Sequence, residues 1–167
     1  TELIPDALWS HHLSGGQGSL IHNLYAAMGD ALARLAASDP AIAASVFSGL
    51  LAEPYESAAF LLARGFAGNP SYFADDASDW LTASAGARLL GYSDSAVWVT
   101  RELITAISPH CSPARHDHLI KAIMFFTPRY ERSYESLRFR GKTELCLLNG
   151  IDAARRHIGE IERRGPR

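Results

Sequence analysis

The chain has 167 residues, 47% of them hydrophobic and 20% charged, with a formal net charge of −2. Such a composition excludes disordered and fibrous proteins and fits one globular domain. No apolar run approaches the roughly 18 residues of a membrane span, and residues 1–6 lack the order of a signal peptide.

Residues 1–18 are expected to form a flexible lead-in to a single α-helical domain over 19–167. Ile21, Leu24, Tyr25, Met28, Leu32 and Leu35 recur at spacings of three and four, predicting a helix over about 19–37 with these side chains inward. Asp39-Pro40 is a cap followed by Pro at the first helical position, and the helix it opens carries Ile42, Val46, Phe47, Leu50 and Leu51. A third helix follows Glu53-Pro54, with Ala58, Leu61, Leu62 and Phe66 inside. Asn69-Pro70 repeats the cap-and-Pro device before Phe73, Ala77, Trp80 and Leu81.

Gly91, Ser93 and Asp94 mark a break. Beyond it Val99, Leu103, Ala106 and Ile107 form an inner stripe that Pro109 ends. Pro113 opens a helix bearing Leu119, Ile120, Ile123 and Met124, apolar nearly all round at its end and so expected to be buried on two sides. A polar stretch over 128–141 leads to short helices near 142–150 and 152–164. No segment alternates as a strand does. The fold class expected is therefore all-α: antiparallel helix pairs stacked as a HEAT- or armadillo-like repeat, with a compact helical bundle as the competing architecture.

Charge divides unevenly along the chain. Residues 1–100 hold three Arg against ten acids, and residues 101–167 hold thirteen Lys and Arg against eight acids, so the halves carry −7 and +5. That asymmetry fits either solvated surface or a C-terminal third that meets something acidic.

Most strings that imitate chemistry lack its context. Leu13-Ser-Gly-Gly-Gln17 matches the signature of ATP-binding-cassette transporters, but neither a Walker A loop nor a strand with Walker B acids accompanies it. Gly141-Lys142-Thr143 imitates the end of a Walker A loop, yet Ser136 stands where the first Gly belongs. His110, Cys111, His116 and His118 are too loosely spaced for a zinc set, so no metal and no cofactor is expected. Cys111 beside His110 has the elements of a nucleophile and base, but in a turn between Pro109 and Pro113 packing is the simpler role. Asp75, Asp76 and Asp79 follow Asn69-Pro70 closely, where acids favour a helix dipole. No catalytic residue is assigned, and an enzyme is not expected.

Two groups remain. Trp98, Arg101 and Glu102 share the face opposite Val99, Leu103 and Ile107, with the composition of a protein interface; contact with the next helical layer is the rival role. Residues 128–142 interleave Arg129, Tyr130, Arg132, Tyr134, Arg138, Phe139, Arg140 and Lys142. Tyr130 and Arg132 join the first group as candidate partner contacts. Arg129, Arg138, Arg140 and Lys142 are the candidates for nucleic acid, diluted by Glu131 and Glu135.

The run Trp98-Val-Thr-Arg-Glu-Leu-Ile-Thr-Ala-Ile-Ser-Pro-His-Cys-Ser-Pro113 carries a resemblance, continued by Leu119, Tyr130-Glu131, Gly141, Leu147-Leu148, Arg155-Arg156 and Ile158-Gly159-Glu160. It resembles the C-terminal helical region of large bacterial STAND (NACHT-type) NTPases, many of them associated with antiviral defence. The likeness covers roughly residues 50–165 and is most specific over Arg101–Ser112. The chain departs from that pattern at Ile120-Lys121, where an acid is expected, and in a shortened closing helix. The family's nucleotide-binding loop is not in these residues. The resemblance implies a non-catalytic sensor or scaffold segment whose ATP chemistry belongs to another part of a longer protein. Its implied partner is a protein, foreign or part of the same polypeptide. Independently, Cys111 and Cys146 form neither a CxxC pair nor a disulfide framework, so a reducing, cytoplasmic setting is the default expectation, and neither nucleic acid nor membrane is the expected partner.

Overall fold

The computed structural model describes residues 3–4, 20–90, 97–125 and 147–152. Within them the chain is all-α: α1 (Leu20–Ser38), α2 (Pro40–Ala52), α3 (Glu56–Gly68), α4 (Pro70–Ala83), a 3-10 turn (Ala87–Leu89), α5 (Trp98–Ile107) and α6 (Pro113–Met124). A further helical segment occupies 147–152. Among the described residues no helix is long and apolar enough to cross a membrane.

The helix starts follow local chemistry. The Asp39 carboxylate accepts from the Ile42 N–H at 3.0 Å, and Pro40 takes a first-turn position whose missing N–H costs nothing. Pro70 and Pro113 open α4 and α6 in the same way. Asn69 departs from the expected cap. Its side chain leaves α4 uncapped, and its Nδ2 donates to the Ala36 carbonyl at 2.9 Å, tying the α3–α4 corner to the end of α1.

Pro54 and Tyr55 stay outside α3 because Ile4 pairs with them. The Ile4 N–H donates to the Pro54 carbonyl at 2.7 Å, and the Glu56 N–H donates to the Ile4 carbonyl at 3.1 Å. Leu3 packs against the core beside this pairing. Two residues of the expected lead-in are thus held in place. Residues 5–18 lie outside the described residues, as does the break expected at Gly91, Ser93 and Asp94. At the start of α5, Val97 is fully buried and holds the left-handed conformation at φ 55°, unusual for a β-branched residue and kept there by its packing.

α3 forms the centre. Nine of its thirteen residues are buried, and it packs against α1, α2, α4 and α5. Its joint with α1 is the broadest among the described residues, and small residues build it. A Cβ on Gly68 would stand 2.4 Å from the Ala33 Cα, and one on Gly29 would meet the Arg64 side chain at 3.2 Å. Ala36 is fully buried alongside. The Leu and Met stripe expected to face inward on α1 is accordingly displaced: Leu24 and Met28 are exposed, while Tyr25, Leu32 and Leu35 are half-buried at the margin.

Beyond successive neighbours, alternate helices meet: α1 on α3, α3 on α5, and α4 on α6. Segment 147–152 lies on α5, with the Thr105 Oγ1 donating to the Gly150 carbonyl at 3.2 Å. This helical run passes through position 151, where the sequence suggested a gap between two helices. The end of α6 also differs from expectation. Met124 and Phe125 are exposed, so its apolar terminus is not buried on two sides.

Candidate interaction site

The residues nominated on α5 divide in role. Trp98 is half-buried against the core, its ring centroid 6.4 Å from that of Phe60, so it serves the α3–α5 joint. Contact between helical layers, the rival role, is what the geometry gives this side chain. Glu102 is exposed and ion-paired with Arg64 at 3.6 Å, and Arg101 is exposed. Arg64 also meets Asp30 at 3.3 Å, so one guanidinium on α3 is shared by carboxylates on α1 and α5. Tyr130 and Arg132 lie outside the described residues, as do Arg129, Arg138, Arg140 and Lys142.

The groups weighed for catalysis hold α4 and α6 together. The Ser112 N–H, at the start of α6, donates to Asp75 Oδ1 at 2.8 Å. The Asp79 carboxylate pairs with Arg115 Nε at 2.8 Å, and the Ser78 hydroxyl donates to the Arg115 carbonyl at 3.1 Å. The dipole that Asp75 meets is therefore that of α6, not that of its own helix. Cys111 lies in the same joint, its Sγ 3.6 Å from the Ala74 carbonyl. Burial, reinforced by the charge of Asp75, pushes its thiol up to about 11. A protonated thiol is the opposite of what an activated nucleophile needs. His110 is exposed rather than packed into the turn. Among the described residues no group of three or more His, Cys, Asp or Glu is placed to hold a metal ion.

A groove that the sequence did not announce lies between α2 and α4. Both helices lean on α3 and have no broad contact with each other, which leaves an opening of about 410 Å³. Its floor is an aromatic cluster: Phe47 stands 5.3 Å from Phe66 and 5.1 Å from Phe73, centroid to centroid. Trp80 closes one side, 6.0 Å from Phe66. Asp76 and Asp79 stand on the α4 rim, Ala44 and Ser48 on the α2 rim, and among the described residues no basic side chain lines it. The volume falls in the range of clefts that hold ligands or side-chain anchors. One sequence signal pointed this way: α2 has no charged residue on any face, so periodicity could not say which side is buried.

No known family model, no curated protein and no solved structure matches this chain.

Proposed function

We propose that this chain is a non-catalytic protein-interaction module that takes an apolar helical segment of a partner protein into the groove between α2 and α4. The observation that carries this reading is the aromatic floor of Phe47, Phe66 and Phe73 beneath an opening of about 410 Å³. Docking an amphipathic helix in an apolar groove is a recurrent mode of recognition, in which one or two large side chains anchor the contact. The Asp76 carboxylate on the rim favours a segment with a basic residue beside its anchors and disfavours phosphate, whereas Asp79 is already paired with Arg115, so this face suits protein rather than nucleic acid. The sensor or scaffold role within a larger STAND-type NTPase is the setting that the sequence resemblance supports.

A selection of displayed helical peptides against the full chain tests the reading. Binders are expected to lose at least about tenfold in affinity on Ala44→Arg, because that side chain occupies the groove from its exposed rim and displaces an anchor contributing about 1.5–3 kcal/mol. Binders that ignore Ala44→Arg in a chain with unchanged helicity overturn it.

A further inference from the structure

The corner between α2 and α3 is shaped around an extended strand. A Cβ on Gly86 would stand 2.6 Å from both the backbone N and the Cγ of Leu3. Gly86 has φ −65° and ψ −40°, which any residue adopts, so this glycine serves space and not conformation. Leu3 enters that space half-buried. Ile4 beside it spends both of its backbone groups on the corner: its N–H donates to the Pro54 carbonyl at 2.7 Å, and its carbonyl accepts from the Glu56 N–H at 3.1 Å. Tyr55, between those partners, is extended and gives α3 no side-chain cap. The strand therefore satisfies a first-turn donor of the central helix, a group for which the helix itself has no acceptor.

The chain's own residues do not fill what they occupy. An opening of about 170 Å³ remains beside Leu3, walled by Leu50, Leu62, Trp80 and Ala83. Phenylalanine in the place of Leu3 would reach further into it and bury more apolar surface. Ile4 contributes backbone above all, since its side chain is 48% exposed. Recognition of main chain by paired hydrogen bonds, with one pocket for a neighbouring side chain, is the chemistry of β-strand addition.

We infer that this corner is a docking site for an extended apolar segment of another polypeptide, and that Leu3–Ile4 is a strap which such a segment displaces. The strand already seated there defines the ligand. It carries a large apolar side chain for the opening, with phenylalanine preferred to leucine. The next residue must have an N–H for the Pro54 carbonyl, so proline is excluded at that place. A proline one position later favours the extended backbone required, as Pro5 does after Ile4 in this sequence. Among the described residues Glu53 is the one charged group lining the opening, so an acidic side chain is rejected there. The opening shares Leu51, Trp80 and Ala83 with the α2–α4 groove, but the inference stands on the strand contacts and not on the function proposed for that groove.

Hydrogen exchange of the Glu56 amide, followed by NMR on the full chain, tests it. Leu3→Asp is expected to empty the site, so that this amide exchanges at least about tenfold faster while helicity is unchanged. Ile4→Pro, which removes the donor at a half-exposed position, is expected to do the same and supplies a second emptied chain. Added to either, a capped peptide Thr-Glu-Leu-Ile-Pro-Asp at up to roughly 5 mM is expected to restore the protection. Its counterpart with Phe for Leu is expected to do so at a concentration at least about threefold lower. The Phe peptide is expected to bind the parent chain more weakly than the emptied ones, because there it must displace a tethered strap. The same peptide with Pro for Ile is expected to have no effect. Glu56 protection that neither variant changes, an emptied site that neither the Leu nor the Phe peptide refills, or equal affinity of the Phe peptide for parent and emptied chains overturns the inference.

Discussion

Replacing glycine by alanine at two helical positions is expected to move stability in opposite directions. Gly49 lies inside α2 with nothing within 4 Å of the place a methyl would take, so Gly49→Ala gains the helix preference of alanine, about 0.8–1 kcal/mol. Gly68 ends α3, and a methyl there would stand 2.4 Å from both the Cα and the carbonyl oxygen of Ala33. These are backbone atoms and cannot rotate aside, so α1 and α3 must separate along the broadest joint of the fold. Overpacking of this kind costs about 1–3 kcal/mol, against a helical gain that is small at a helix end, leaving Gly68→Ala about 1–2 kcal/mol less stable. For a chain of this length the shifts correspond to about 2–4 °C in Tm per kcal/mol. Thermal and urea unfolding followed by circular dichroism would show Gly49→Ala melting above the parent and Gly68→Ala below it. A Gly68→Ala chain as stable as the parent would refute the close approach of the two helices.

Two further expectations follow from the joints. Arg64→Met keeps the alkyl stem against Gly29 but abandons Asp30 and Glu102; because the arginine is 37% exposed, the loss should stay under about 1 kcal/mol and shrink in high salt, as paired urea titrations would show. A deficit that salt leaves unchanged would mean that packing, not charge, is what the arginine supplies. Cys111 is held as the thiol, its pKa raised from 9.0 to about 11, so the folded state favours the protonated form. The stability tied to the protonated thiol is fully present below about pH 9, where both states keep the proton, and is lost as pH rises from about 9 through 11, where the unfolded chain ionises more readily than the folded one. In a Cys146→Ser background, alkylation of the folded chain near pH 8.5 should be much slower than in urea, and equal rates would contradict the buried thiol.

Elements bounded by proline were legible in the sequence because proline acts locally. Asp39-Pro40, Pro70 and Pro113 each open a helix as their dipeptide chemistry dictates. What failed to show is what depends on a distant neighbour. Asn69 has the composition of a cap, yet the Ala36 carbonyl 33 positions away takes its amide. Hydrophobic spacing on α1 drew attention to Leu24 and Met28, whereas the joint with α3 selects Gly29, Ala33 and Ala36 for smallness, which no hydropathy pattern registers. Trp98 beside Arg101 carries the composition of an interface, and only the position of Phe60 reveals that the ring is already engaged. The groove showed in the sequence only as an α2 without charge, for the same reason: it is a gap between α2 and α4, made by how both rest on α3.

The neighbour scheme of the helices has a consequence for how the molecule comes apart. Among the described residues every broad contact between α-helices joins elements no more than two apart along the chain, and α3 alone reaches both flanks. The buried side chains form one continuous core from Ala36 to Ile151, but its outer elements touch only near neighbours, so they can open locally while α3 stays packed. Amide protons should therefore exchange most slowly in α3 and progressively faster towards α1–α2 and α6, as separate openings rather than one event. A probe in the first hairpin and another in α6 would then report different melting midpoints, and a single unfolding free energy would describe α3 better than it describes the whole chain.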